Sequence, residues 1–213
     1  VNALHEVVAA YRPEIELCMR ESGYPSMPGG SGAKANKDKT SETIQAKWLT
    51  RHICCNLGIE SIGLVSWHQA IDLIKYRNGT LNPKGLLRGD DASRKPSFFA
   101  YQTLCSLFPG DTRPVPRMWG AYLPGRTTTE HKMPVIKAYH FETGTGKKRV
   151  AYWCGEEIDD VTPAASLDFR VEGDWPDAVL VDPLSGNAYD MPGKRLQDGT
   201  TAFMLPVTDY ALV

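Results

Sequence analysis

Glu14-Ile15-Glu16-Leu17-Cys18-Met19-Arg20-Glu21-Ser22-Gly23-Tyr24-Pro25-Ser26 is the stretch on which the reading of the fold turns. Ile15, Leu17 and Met19 alternate with Glu16, Cys18 and Arg20, the period of an extended strand and not of a helix. The alternation runs into a carboxylate, Glu21, and then into the turn formers Ser22, Gly23 and Pro25. A side chain carried on a loop at the end of a rigid element is a common place for catalytic groups. Glu21 is therefore the leading candidate for function; a glutamate capping an exposed strand end is the alternative.

Upstream, Val1, Leu4, Val8 and Tyr11 recur at helical spacing until Arg12-Pro13 stops them. The chain opens on Val1 directly inside this pattern, which gives the expectation of an interior piece of something longer. Downstream, Met27 to Thr40 is rich in glycine and lysine and reads as a loop. It lacks the G-K-[S/T] ending that a phosphate-binding loop requires. Thr40 or Ser41 is placed to cap a helix with the apolar stripe Ala46, Leu49, Ile53 and Leu57, ended by Gly58. Ile62-Gly63-Leu64-Val65-Ser66-Trp67 is almost wholly apolar, which predicts a strand covered on both faces, as in parallel sheets. A long polar connection from Asp72 to Lys95 leads to a helix with Pro96 near its start and Phe98, Tyr101, Cys105 and Phe108 on one side. Helix, strand, helix, strand, helix is the order of an α/β unit with a parallel sheet.

Pro109-Gly110-Asp111-Thr112-Arg113-Pro114 breaks this rhythm, so a domain boundary is placed between 1–112 and 113–213. Val135 to Glu142 and Arg149 to Cys154 alternate on either side of a glycine-rich turn and predict a hairpin. Further short runs at Ser166 to Val171, Ala178 to Asp182 and Thr201 to Val207 predict an all-β sandwich or barrel, with a core of its own that lets it fold alone.

The 213 residues carry 24 Lys and Arg against 25 Asp and Glu, so no strong field favours nucleic acid or an anionic membrane as a partner. No apolar run is long enough to span a bilayer. The five cysteines, Cys18, Cys54, Cys55, Cys105 and Cys154, show no paired C-x-x-C spacing, which argues against zinc. Four of them sit among apolar neighbours and read as small buried hydrophobes. The expectation is a disulfide-poor protein with no metal and no organic cofactor.

Several of these segments resemble one family. Arg20-Glu21-Ser22-Gly23-Tyr24 resembles the end of the seventh strand of retaining glycoside hydrolases of the clan A (β/α)8-barrel type. Ser41-Glu42-Thr43-Ile44-Gln45-Ala46-Lys47-Trp48-Leu49 is similar to their next helix, and Val65-Ser66-Trp67 to the end of their eighth strand. Lys95-Pro96-Ser97-Phe98-Phe99-Ala100-Tyr101-Gln102-Thr103-Leu104 is similar to the last barrel helix. Leu205-Pro206-Val207-Thr208-Asp209-Tyr210 resembles the closing strand of the β-sandwich that follows the barrel in many of these enzymes. The resemblance implies the C-terminal portion of a TIM barrel followed by an antiparallel β-sandwich.

It further implies Glu21 as the nucleophile, Trp67 as an aromatic platform for the sugar, and His68 and Tyr24 as groups that bind substrate hydroxyls. The substrate would be an oligosaccharide or glycoside. A complete barrel takes about 250 residues, and the family's acid/base glutamate lies on an earlier strand, so only half of the catalytic pair would be in this chain. Either the missing barrel segment or a homo-oligomer is then expected to cover the open sheet. Arg20 stands where the family has a small residue and Ser22 where it often has Phe, Tyr or Thr; these departures leave the sugar preference open. The competing class is a non-catalytic carbohydrate-binding or structural piece.

Overall fold

The structure, a computed structural model, describes residues 2–26, 41–75, 79–116, 119–122, 135–155, 157–159 and 165–213. The glycine- and lysine-rich stretch 27–40, with its partial likeness to a phosphate loop, lies outside them.

The first half runs α1 (Asn2–Tyr11), β1 (Leu17–Ser22), α2 (Glu42–Leu57), β2 (Ile62–Trp67) and α3 (Pro96–Leu107). β1 and β2 pair in parallel, with Leu17 opposite Ile62, Met19 opposite Val65 and Ser22 opposite Trp67. Parallel neighbours need a crossover, and α2 supplies it. Its N-cap is Ser41, whose Oγ accepts a hydrogen bond from the Ile44 N–H at 3.1 Å and so serves one of the donors a helix start leaves unpaired.

Three expectations change in this half. β2 is not covered along both faces: Gly63 and Leu64, which as neighbours point to opposite faces, are exposed, and burial is complete only at its ends, Ile62 and Trp67. α3 does begin at Pro96, but the face it buries is Ser97, Ala100 and Leu104, the first two small enough to let it approach α2, while Tyr101 and Phe108 pack at the margin. Among the cysteines only Cys54 and Cys154 are buried; Cys18 and Cys105 are exposed, and all five are free thiols.

The second half is antiparallel among its described pairings. It comprises β3 (Arg113–Pro114), β4 (Trp119–Tyr122), β5 (Ile136–Glu142), β6 (Lys148–Cys154), β7 (Ala165–Glu172), β8 (Val179–Val181), β9 (Ala188–Asp190), β10 (Lys194–Arg195) and β11 (Thr200–Val207). They form a sheet β10-β11-β7-β4, a sheet β3-β5-β6 and a hairpin β8-β9. The period of two sends Tyr152 and Cys154 of β6 to the same core as Leu167, Phe169 and Val171 of β7 and Phe203, Leu205 and Val207 of β11.

The opposite face of β5 and β6 carries Phe141, Ala151 and Trp153 into a second core, with Leu49, Ile53 and Cys54 of α2 and Ala100 and Leu104 of α3. Strand type changes near residue 112, yet this second core runs straight across that point. Gly58, expected as a helix stop, is the C-cap of α2, but it is glycine for want of room: a Cβ there would lie 2.0 Å from the Tyr139 ring of β5, and its φ of −75° is an ordinary one.

A half-open cleft of about 650 Å³ lies beside the first core, lined from β6, β7, β8 and β11 and by Leu107 at the end of α3.

α2 is buried on several sides, and its polar residues have partners to match. Lys47 and Asp209, 1% and 2% exposed, form an ion pair at 2.9 Å. The Lys47 ammonium also donates to the Asp159 carbonyl at 2.5 Å, and Asp209 Oδ2 accepts from the Asp159 N–H at 3.0 Å. One turn on, Thr50 Oγ1 accepts from the Ala211 N–H and Arg51 donates to the Cys154 carbonyl. Removing one partner of a buried pair leaves an uncompensated charge, at a cost of about 3–5 kcal/mol. Asp209→Ala and Lys47→Ala are each expected to lower the urea unfolding free energy by about that much, and the apolar double variant Lys47→Met/Asp209→Leu to recover most of it. Single variants with the parent's midpoint would show that the pair does not hold the two halves together.

Candidate functional site at the parallel strand ends

Because β1 and β2 are parallel, their C-terminal ends meet, and the segments 22–26 and 67–72 leave from the same edge. The His68 N–H donates to the Ser22 carbonyl at 2.8 Å, extending the ladder by one bond. Gly23 follows, and a Cβ on it would lie 1.9 Å from the His68 carbonyl oxygen, so only glycine lets the two segments pass. The His68–Gln69 peptide bond is cis.

Glu21 is exposed, and its φ of 55° lies in the left-handed region. A side chain there costs on the order of 1–3 kcal/mol and persists only where the surroundings impose it. The residue is the penultimate one of β1, inside the strand rather than beyond it. Arg20 beside it is exposed and forms no ion pair with it.

Tyr24 and Trp67 come together behind the strand ends, their ring centroids 6.0 Å apart. Tyr24 stacks on Trp48 at 4.9 Å, and His52 meets the Trp67 ring edge-on at 6.1 Å. The Trp67 Nε1–H donates to the Lys84 carbonyl at 2.9 Å, and the residue is 8% exposed. An indole so enclosed has little open face on which a pyranose could lie, so in this chain Trp67 is part of a wall. His68 is half-buried next to it. Burial, then the Cys55 thiol, pushes the Tyr24 hydroxyl above the usual tyrosine value; burial holds the His52 imidazole below the usual histidine value.

Under this wall lies a set of buried polar side chains that sequence reasoning missed. The Lys95 ammonium donates to Ser26 Oγ at 2.7 Å and pairs with Asp72 at 2.7 Å, while Asp72 Oδ1 accepts from the Gly85 N–H. Gln45 donates to the Tyr24 carbonyl at 2.9 Å and to the Pro83 carbonyl at 3.3 Å, and its Oε1 accepts from Ser97 Oγ. Each buried donor finds an acceptor on a different segment, which fixes 24–26 and 83–85 to α2 and α3. No periodic signal marks such residues, because partners 69 or 38 positions apart leave no local pattern. The only hint was Lys95 directly before Pro96, a charge at a helix start where a cation is electrostatically misplaced.

The His52 shift has a definite sign. Below pH 6.5 the unfolded chain protonates this imidazole while the folded chain, holding it in an aromatic cluster, resists. Its contribution to stability is complete above that pH and declines as pH falls toward the lowered folded value. His52→Leu is expected to flatten the slope of unfolding free energy against pH in the range just below about 6.5; an unchanged slope would mean that another group titrates there.

No protein-family model and no curated protein matches the chain.

Proposed function

We propose that the chain is the C-terminal part of a retaining glycoside hydrolase, with Glu21 as the nucleophile. The observation that carries the reading is the placement of Glu21: an exposed carboxylate in a strained left-handed backbone at the C-terminal end of one of two parallel strands. Catalytic groups of (β/α)8 barrels sit at that end of the strands, and strained backbone clusters at functional sites. The ordered likeness of five segments to the clan A enzymes adds to it.

In this reading a Glu21 carboxylate oxygen attacks the anomeric carbon, forming a glycosyl ester as the bond to the leaving oxygen breaks. A second carboxyl group, roughly 5 Å away, protonates that oxygen and then removes a proton from the water that releases the sugar. The resemblance assigns the second group to an earlier strand, outside residues 1–213. Tyr24 and His68 lie where they can meet sugar hydroxyls, and Trp67 braces them from behind. The substrate class is a β-linked or related oligosaccharide.

A non-catalytic carbohydrate-binding or bracing role is the second reading. The enclosure of Trp67 favours it, since the expected stacking platform has little open surface.

The test is mass spectrometry of the chain joined to its upstream coding sequence and treated with an activated 2-fluoro glycoside. The fluorine slows release of the sugar, so the ester should accumulate on the peptide containing Glu21. Glu21→Ala should abolish turnover with the circular dichroism spectrum intact. Residues 1–213 alone should be slower by at least the general-acid contribution of about 10²–10⁴-fold. A label on a different carboxylate, or full activity in Glu21→Ala, would sink the enzyme reading and leave the binding one.

A further inference from the structure

Two strand edges face each other across the half-open cleft beside the first core. Segment 208–213 runs antiparallel to β6, and Tyr152 and Leu212 exchange both main-chain hydrogen bonds, at 2.9 and 3.0 Å. Val213 in turn exchanges both with Val181 of β8, at 2.7 and 3.1 Å. Here one strand fills the gap between β6 and β8, which spans two inter-strand spacings, about 10 Å. Beyond that pairing the gap continues as the cleft, with Lys148, Arg149 and Val150 on one side and Val179 on the other.

Main-chain groups alternate in direction along an antiparallel strand. Tyr152 turns its N–H and C=O away from β5, so Val150 and Lys148 do the same; Val181 turns away from β9, and so does Val179. These groups point into the cleft and have no main-chain partner there among the described residues. An unpaired strand edge is a template for another strand, and here two such edges lie a single strand's width apart.

The side chains specify what that strand must carry. Continuing the register of Tyr152 and Leu212 puts one residue opposite Val150, the next opposite Arg149 and a third opposite Lys148. The first and third face the same way as Leu212, toward the apolar wall of Phe169, Val171 and Leu205. The middle one faces the other way, as Val213 does, to the side where Leu107 and Arg149 line the cleft. Arg149 has no ion-pair partner among the described residues, and its Nη1 is buried without a hydrogen-bond acceptor. Directly opposed side chains have Cβ atoms about 4.5–5.5 Å apart. A carboxylate at the middle position therefore meets the guanidinium and supplies the counter-ion it lacks. The Lys148 ammonium is engaged elsewhere, 6.0 Å over the Trp175 ring. Lys147, Asp174 and Asp177 at the rim are exposed, so a segment can enter from solvent.

We propose that the cleft is a strand-acceptor site, which takes an extended segment of a second polypeptide between β6 and β8. The segment carries an apolar–acidic–apolar triplet whose acidic side chain pairs with Arg149. Main-chain bonds to both edges hold it, and the alternating side chains select it.

The probe is the peptide acetyl-Ser-Val-Glu-Val-Ser-amide, titrated into the protein with amide hydrogen exchange followed by NMR. Saturating peptide should slow exchange at Val150 and Val179 by roughly tenfold or more and leave Arg149 and Leu180, whose amides point to β5 and β9, unchanged. Replacing the glutamate of the peptide by lysine should weaken binding roughly tenfold. Arg149→Glu should reverse that preference, and Arg149→Met should remove it while the variant keeps a cooperative melt. The proposal is overturned if millimolar peptide protects neither edge, or if the glutamate and lysine peptides bind the parent equally. It is overturned as well if butyrate competes as strongly as the peptide, which would make the occupant a small acid. Loss of peptide binding in the protein expressed with its downstream coding sequence would give the position to the protein's own chain, and would equally overturn the claim of a second polypeptide.

Discussion

One lysine and one aspartate, 162 residues apart, set the geometry of this molecule. Two unit charges removed from water tolerate little error in placement, because their mutual attraction must offset a desolvation penalty of several kcal/mol per ion. That intolerance is what makes the Lys47–Asp209 pair useful as a reference point. It fixes the rotation of α2 about its axis, and α2 packs against β2 and α3 and shares a core with β5 and β6. With Lys47 turned toward Asp209, Gln45 is turned toward the Tyr24 carbonyl, and Thr50 and Arg51 meet the main chain at Ala211 and Cys154. Apolar packing alone would not choose one rotation so sharply, since Leu49, Ile53 and Cys54 offer a broad surface.

What could be read from the sequence was whatever has a period or a punctuation mark. The order of helices and strands in the first half, the Ser41 cap, Pro96 at the start of α3 and the hairpin of β5 and β6 all follow from local chemistry, and the structure contains them. Which way an element faces was less legible. α3 has two competing faces, and the aromatic one was the more conspicuous; the smaller Ser97, Ala100 and Leu104 are buried because proximity to α2 selects for size. The boundary after Thr112 was read from composition, and composition says nothing of what lies on the far side of β5 and β6. Glu21 and Trp67 could be placed at the ends of β1 and β2 because strand ends can be recognised. Lys95, Asp72 and Gln45 were missed because a buried polar residue is identified only by its partner.

Parallel strands occur almost exclusively with both faces covered, and among the described residues Ile15, just before β1, and Leu64 of β2 are 47% and 51% exposed. The proposed barrel accounts for this economically, since further strands would cover the edges and place a second carboxylate across from Glu21. Self-association would cover the same surface without supplying that group. The two outcomes differ in chemistry even though they bury similar area.

The backbone at Glu21 carries an implication for descent. A glutamate held at a φ of 55° is under constant pressure to become glycine or asparagine, either of which adopts that conformation at lower energy. A lineage with no use for the carboxylate would drift to one of them within the ordinary run of substitutions, and nothing in the packing would oppose the change. The residue is thus a slow clock on the site: glutamate persisting there among diverged copies records a selective demand for its charge, and glycine in its place dates the demand's end.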